Sequence, residues 1–175
     1  MSYPPHGLTA ETLGLDGTIP NVQSGIDRAV AYVRRVAGWH VFPLVEDTIV
    51  VDGEGGHVLT LPTLHVTDLS EITEHGTVLH PDTYEWSATG DVKRLGRCWT
   101  TRWRGITVTL THGYDTADAA VLDLGSALAD AVTYQASSPL GIPEVIGPYQ
   151  FGGESSGWTG DAATTLSRFV LPPRA

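Results

Sequence analysis

Hydrophobic residues recur at three- and four-residue steps near the start of the chain. Ile26, Ala29 and Val33 follow this spacing, which is that of one face of an α-helix. The arginines of the segment fall largely off this stripe, so we expect the helix to bury one face and expose the other. Gly38 is a typical stop signal just past the last turn. The pattern predicts an amphipathic helix over residues 24–37.

The same periodicity returns in the second half of the chain. Val121, Leu124, Leu128 and Val132 fit a repeat of about 3.6 residues. A Ser-Ser-Pro sequence follows and is expected to end the element, because proline cannot continue a helix. The pattern predicts a second main helix over residues 116–136.

Between these helices the hydrophobic period changes to two. Short runs of branched and aromatic residues occupy residues 45–112, and turn-forming sequences such as Asp-Gly-Glu-Gly-Gly at residues 52–56 separate them. Strands this short and closely spaced are typical of an antiparallel sandwich or barrel. We therefore expect an α+β fold, in which two main helices and short terminal helices form a helical core. An antiparallel β-sandwich or small barrel is inserted between the main helices.

The two ends of the chain differ from its middle. Residues 1–20 include adjacent prolines and no basic residue, and we expect an N-terminal arm there. Residues 21–138 are expected to form the folded domain. Residues 139–175 are rich in glycine and proline, which predicts a tail with a short helix or an extended segment near residues 164–171.

Composition excludes several classes of protein. The chain has 175 residues, one cysteine and a formal net charge of −10. A hydrophobic fraction of 41% is too high for a disordered chain, and no run of about 18 apolar residues is present to span a membrane. One cysteine cannot form an internal disulfide. So acidic a chain is a poor candidate for gripping the phosphate backbone of a nucleic acid.

Charges of opposite sign are separated within the strand region. All ten acids of residues 41–113 lie between Glu46 and Asp91, whereas all five bases lie between Lys93 and Arg104. A ring of identical subunits joins one face of each copy to a different face of the next. Separated charges of this kind can supply two such faces.

Two tryptophans, Trp99 and Trp103, interleave with the basic residues. Tryptophan and arginine together are enriched at the centres of protein–protein interfaces, and similar stretches bind single-stranded nucleic acid. The acidic remainder of the chain favours the protein–protein interpretation. A half-buried strand, with Trp103 inward and Arg102 and Arg104 outward, is an alternative that can hold at the same time.

The candidate metal and phosphate motifs are weak. His65, His75 and His80 are spaced by ten and five residues, which is not the tight pairing of zinc ligands. The sequence at residues 52–56 precedes a strand, whereas a phosphate loop leads into a helix. We expect no metal site and no cofactor.

Two further functional classes stay open at this point. One is an enzyme that uses His112 and Asp115, although no nucleophile motif accompanies them. The other is a monomeric β-sandwich binding module, for example for carbohydrate, with Trp86, Trp99 or Trp103 as its stacking platform. We expect no catalytic residues.

Five short segments together resemble a known family. In chain order they are Ala-Gly-Trp-His-Val-Phe-Pro (residues 37–43), Asp-Gly-Glu-Gly-Gly (52–56), Leu-Thr-Leu-Pro-Thr-Leu (59–64), Tyr-Glu-Trp (84–86) and Thr-Leu-Thr-His-Gly-Tyr (109–114). Across residues 26–136, the ordered set resembles the head-to-tail adaptor, or connector, proteins of long-tailed phages that infect actinobacteria.

The resemblance implies a structural virion protein without catalytic residues. Such adaptors form a ring beneath the portal, typically of twelve copies, which extends the DNA channel used in genome ejection and meets the next connector or tail terminator protein. The protein would be assembled in the host cytoplasm and reside in the virion neck, between capsid and tail. By the same resemblance, the tail would contact the portal through Leu166, Phe169, Val170 and Leu171.

Two hypotheses combine the charge pattern with this role. The first places a basic set of one copy against an acidic set of the next. The basic set is Lys93, Arg94, Arg97, Arg102 and Arg104, and the acidic set is Glu46, Asp47, Glu54, Glu71 and Glu74. The second places Asp118, Asp123 and Asp130 on the channel wall, where like charge lets double-stranded DNA pass without specific binding.

Overall fold

The computed structural model describes residues 4–18, 21–116, 118–137, 144–146, 149–151 and 161–172. The helices are α1 (Val22–Ala37), α2 (Ala119–Ser137) and α3 (Asp161–Ser167), with a short 3-10 turn at Pro81–Thr83. The strands are β1 (Val45–Val51), β2 (Val58–Thr60), β3 (Val66–Glu74), β4 (Thr77–Val78), β5 (Tyr84–Trp86), β6 (Asp91–Arg94), β7 (Ile106–His112), β8 (Glu144–Ile146) and β9 (Tyr149–Phe151). The predicted α+β class, with an antiparallel sheet region inserted between two main helices, is confirmed.

The chain forms two compact units. The helical unit comprises residues 6–37 and 116–170, and the sheet unit comprises residues 38–115 with short pieces of both termini. The division into an arm, a domain and a tail at residues 20 and 138 stays a prediction. Across the described ranges, no helix is both long and apolar enough to cross a membrane.

In the helical unit, α1 packs its apolar stripe against α2. The side chains of Ile26, Ala29, Val30 and Val33 are at most 1% exposed. Gly25 allows a close approach of the two helices, because a methyl group at this position would lie 3.1 Å from the Cγ1 atom of Val132. α2 contributes its own buried stripe of alanine, leucine and valine residues to the same core.

The chain before α1 also packs in the helical unit. Leu8 is 6% exposed, and its carbonyl accepts a hydrogen bond from Gln23 Nε2 at 3.2 Å. His6 Nε2 lies 3.0 Å from Asp27 Oδ1. Part of the segment expected to form an arm is therefore attached to the first turns of α1.

The sheet unit contains two antiparallel sheets. Their strand orders are β1-β7-β3-β4 and β2-β6-β5. Residues of both sheets, including Leu59, Ile72, Val92 and Leu110, share one hydrophobic cluster, as in a sandwich. β7 is central in the larger sheet and alternates strictly, with its even-numbered positions buried and its odd-numbered threonines half-buried.

The loop before β2 approaches the backbone of Thr100 so closely that it leaves no room for a side chain at Gly53. A methyl group added at Gly53 would overlap the carbonyl oxygen of Thr100. We expect Gly53→Ala to lower the free energy of unfolding by at least about 2 kcal/mol, since overpacked sites cannot relax freely. Gly56→Ala is the matched control, because its methyl group would meet only ordinary contacts at 3.7 Å or more. Urea unfolding of both variants checks this, and equal stabilities would contradict it.

Candidate functional site

A tight turn before β7 is held by the loop that precedes β2. The backbone N–H of Arg104 donates to Oδ1 of Asp52 at 2.6 Å, and the N–H of Gly53 donates to the carbonyl of Arg102 at 3.0 Å. The N–H of Gly105 closes back on the same carbonyl at 3.2 Å. Arg104 has a φ of 52°, in the left-handed region that tight turns use.

The basic turn, defined here as Arg102, Trp103 and Arg104, presents three exposed side chains. Trp103 is 83% exposed, so the interpretation of it as an inward-facing strand residue is wrong. The reason is that β7 begins only at Ile106. Trp103 lies three positions before that residue, in the turn, and even an extension of the alternation of β7 would place this odd-numbered position on the outward side.

A buried carboxylate organises the segment that joins β6 to this turn. Glu74 is 8% exposed, and its Oε1 accepts from the backbone N–H of Thr100 at 2.8 Å. Its Oε2 accepts from Arg97 at 3.1 Å and lies 3.7 Å from a terminal nitrogen of Arg94. Glu74 therefore pairs with two of the predicted interface bases inside a single subunit.

Arg94 is the buried member of this group, at 4% exposure. Its Nη1 donates to the hydroxyl of Thr83 at 2.6 Å, and its guanidinium carbon lies 5.3 Å from the ring centroid of Trp99. Burial lowers the pKa of Arg94, and the nearby charge of Arg97 lowers it further, while Glu74 opposes the shift. These contacts give Arg94 a structural role within the subunit.

Apart from Glu74 and Arg94, the predicted interface residues are accessible, and these include Arg97 although it also pairs with Glu74. Exposed among the basic set are Lys93, Arg97, Arg102 and Arg104, and exposed among the acidic set are Glu46, Asp47, Glu54 and Glu71. The pairing of these exposed groups between copies stays a prediction.

The outward side of the larger sheet forms an acidic face. Register places Glu46 and Asp68 on either side of Thr111, and Thr48 and Glu71 on either side of Thr109. The hydroxyls of Thr48 and Thr109 lie 3.3 Å apart, which confirms that they share a side. The four strands of this sheet contain no lysine or arginine. Asp68 was missed by the sequence analysis, although the threonine alternation of β7 was the available signal.

One cross-strand row of the same side has no charged residue and has an exposed valine at each end. Val50, Thr107, Thr73 and Val78 are paired in succession across β1, β7, β3 and β4. Val50 is 43% exposed and Val78 is 58% exposed. We name this set the apolar row, and it lies next to the row that contains Glu71.

A cluster of aromatic rings and histidines closes the other end of the larger sheet. The ring centroids of His40 and His112 are 4.4 Å apart, and Trp39 stacks near His112 at 6.5 Å. Among the described residues, neither ring nitrogen of His112 has a partner within hydrogen-bond distance, and its Nε2 lies 3.8 Å from Oδ2 of Asp47. Burial, followed by the nearby charge of His40, lowers the pKa of His112 to about 4, and Asp47 opposes the shift.

The structure buries some of the residues that the alternative functions, a carbohydrate-binding module and an enzyme, would need. Trp99 is 3% exposed and its indole N–H donates to the carbonyl of Val92 at 3.2 Å, so it cannot serve in a stacking platform. Trp86, at 40% exposure, and Trp103 stay accessible. His112 is 2% exposed, which closes it to a substrate. Within the described ranges, no group of three histidine, cysteine, aspartate or glutamate residues is arranged to hold a metal ion.

The predicted channel residues belong to α2 and its start. Asp118 caps the helix, because its Oδ1 accepts from the backbone N–H of Ala120 at 2.9 Å. Asp123 and Asp130 are exposed, and their spacing of seven residues places them on one side of the helix.

The predicted portal-contacting residues lie in and after α3. Leu166 and Phe169 are buried at 4% and 5% exposure, and Val170 is 38% exposed. Leu171 is half-buried.

The fold is shared with chains of gene transfer agent (GTA) particles. A chain from the neck of a native GTA particle, computed with C12 symmetry, superposes with a TM-score of 0.63 at 14% identity, over 100% of this chain and 94% of that chain. A chain from the neck of an empty GTA particle, computed with C6 symmetry, gives 0.58 at 14% identity, over 100% and 95%. A chain from the virion of a native gene transfer agent (GTA) particle gives 0.59 at 15%, over 100% and 95%.

The sequence comparisons found no match to this chain. No family model matches the chain, and no curated protein matches it. At 14 to 15% identity, the structural likeness shows the fold alone, and this chain shares that fold with chains of the GTA neck and virion.

The buried His112 predicts a dependence of stability on pH. The pKa of His112 is about 4 in the folded chain, against 6.5 for an ordinary histidine. The unfolded chain therefore binds more protons between these values, and stability is lost as the pH falls from 6.5 to 4. At about 1.4 kcal/mol per pKa unit, the loss is about 3 kcal/mol.

Urea unfolding between pH 7 and pH 4 checks this expectation. Wild type is expected to lose about 3 kcal/mol more than His112→Gln over this interval. His75→Gln is the control, since His75 is an exposed turn residue, and it should follow wild type. Parallel curves for wild type and His112→Gln would contradict the assignment.

Proposed function

We propose that this chain is a structural subunit of a virion neck. Copies of it form a ring, of twelve subunits, that joins the portal of a capsid to the tail and extends the DNA channel. The partners are other copies, the portal protein and the next connector or tail terminator protein. The protein would belong to the head-to-tail adaptors of long-tailed actinobacteriophages and would act without catalysis.

One observation supports this proposal above the others. The match to neck chains spans all of this chain and at least 94% of those chains, so it includes the helices and the sheets together. Those necks were computed with C12 and C6 symmetry, and both symmetries are compatible with a ring of twelve identical subunits. The segregated charges of the sheet unit fit the unlike contacts that a ring requires.

The acidic character of α2 fits a channel wall. Asp123 and Asp130 are exposed on one side of the helix, and Asp118 lies at its start. A wall of like charge repels the phosphates of double-stranded DNA and avoids the counterion release that holds DNA on basic proteins. DNA would pass without being bound.

The segment after α3 is proposed to meet the portal. Val170 is the most accessible apolar residue there, so it would make first contact. Leu166 and Phe169 are buried in this structure, so they would reach the portal only after the segment rearranges. Leu171 is half-buried, so its exposure lies between that of Val170 and that of the two buried residues.

Imaging of the assembled protein tests the proposal. We expect negative-stain images of the full chain, alone or mixed with its portal protein, to contain rings, and light scattering to give the mass of twelve copies. A monomer under both conditions would contradict the proposal. A monomer that binds a glycan array would instead support a binding module that uses Trp86 or Trp103.

Charge reversal tests the pairing between copies. Arg102→Glu with Arg104→Glu replaces attraction to the acidic face by repulsion, so we expect ring formation to weaken at least about tenfold. Added salt should weaken assembly of the wild type and strengthen that of the double variant, because salt screens both interactions. Adding Glu71→Lys to the same chain should restore part of it.

The matched control is Arg35→Glu, which reverses an exposed arginine of the helical unit and should leave assembly unchanged. Analytical ultracentrifugation over a concentration series provides the measurement. Wild-type assembly by the double variant would exclude these two arginines from the interface.

A further inference from the structure

Trp103 is an unusual surface residue. It is the most exposed large hydrophobic side chain among the described residues, at 83%, and the next is Leu122 at 59%. Within the described part of the chain, Trp103 belongs neither to β7, which begins three residues later, nor to the hydrophobic core cluster of the sheet unit. A side chain of this size gains most when a partner removes it from water.

The backbone under Trp103 is already ordered. Hydrogen bonds from Arg104 and Gly53 fix the turn on both sides, and the N–H of His75 donates to the carbonyl of Gly105 at 3.0 Å. A partner would therefore find the tryptophan in a fixed backbone position. Binding then has little ordering entropy to overcome, which is the advantage of a pre-organised anchor.

The same chain carries a surface that complements the basic turn. The apolar row offers the exposed side chains of Val50 and Val78, with Thr107 and Thr73 paired between them; the hydroxyl of Thr73 donates to Oε1 of Glu71 at 3.4 Å. Glu71 lies two residues along β3 from Thr73, at about 6.6 Å by strand geometry. A ring of tryptophan on the apolar row thus places the flanking arginines within reach of the carboxylates of the acidic face.

We propose that Trp103 is the anchor of the contact between neighbouring copies, and that it packs on the apolar row of the next copy. Arg102 and Arg104 then face Glu71 and the other carboxylates of that copy's acidic face. The occupant is a second copy of this chain, because the basic turn and the base-free sheet are opposite in charge and both are exposed. The contact joins unlike surfaces, as a ring requires. This inference rests on the proposed function.

Truncation of the anchor is the first test. We expect Trp103→Ala to raise the protein concentration needed for half-assembly at least about 30-fold, as for a truncated hot-spot tryptophan. Trp86→Ala is the matched control, since it removes an exposed tryptophan of the smaller sheet and should change assembly less than about twofold. Circular dichroism and thermal melting establish that both variants are folded.

Mapping of the contact is the second test. Trp103 is replaced by the photoreactive aromatic p-benzoylphenylalanine, which keeps a ring at the site. Isotopically heavy and light copies are mixed before irradiation. Mass spectrometry is expected to find adducts between heavy and light chains on the peptides that contain β1 or β4. The same replacement at Trp86 should give none there.

The outcomes separate the inference from the proposed function. Rings formed equally well by wild type and Trp103→Ala, or adducts to any other surface or to another neck protein, overturn the inference and leave the ring in place. A wild-type chain that forms no ring, alone or with portal protein, overturns both. Loss of rings in Trp103→Ala, together with adducts on β1 or β4, supports the anchor.

Discussion

The sheet unit depends on one buried carboxylate. Glu74 ends β3 beneath the segment that runs from β6 to β7, and this segment has no strand of its own to hold it. A buried charge is costly unless it is paired and hydrogen-bonded. Here the backbone of Thr100 and the guanidinium of Arg97 complete its shell, with Arg94 behind them. Without that group the buried guanidinium of Arg94 would lose an ion-pair partner at 3.7 Å, and the backbone N–H of Thr100 would lose its acceptor.

This internal pairing changes the meaning of the charge pattern. Sequence alone separates acids from bases and suggests that one set meets the other across subunits. The structure assigns Glu74, Arg94 and Arg97 to contacts within the subunit and leaves the basic turn as the exposed positive surface before β7. On the outward side of the larger sheet, the carboxylates of the acidic face are exposed to water. The charges therefore serve two purposes, one inside the fold and one on its surface.

The spacing of hydrophobic residues was sufficient to predict the helices and the central strand. An element that buries one of its sides must place its hydrophobic residues at the period of that element. It failed at Trp103, where a hydrophobic residue before a strand was taken to continue it. The odd spacing of three residues to Ile106 was the available sign, because two residues three positions apart cannot lie on the same side of a strand. Arg94 could not be placed from sequence, since a buried arginine is acceptable only when a carboxylate distant in sequence lies beside it. The acidic face also needed the register of β1, β7 and β3, which no local pattern contains.

The absence of bases from the four strands of the larger sheet has a consequence for how copies of the chain can meet. Two identical acidic faces brought together about a two-fold axis would set carboxylate against carboxylate, and like charges at such distances repel. Exposed sheet edges are a common route to aggregation, and charged side chains beside them discourage it. Self-repulsion thus disfavours the simplest dimer and leaves contacts between unlike surfaces as the open route. A contact between unlike surfaces leaves one of the two surfaces of each copy unoccupied. Each copy that joins can therefore bind one more.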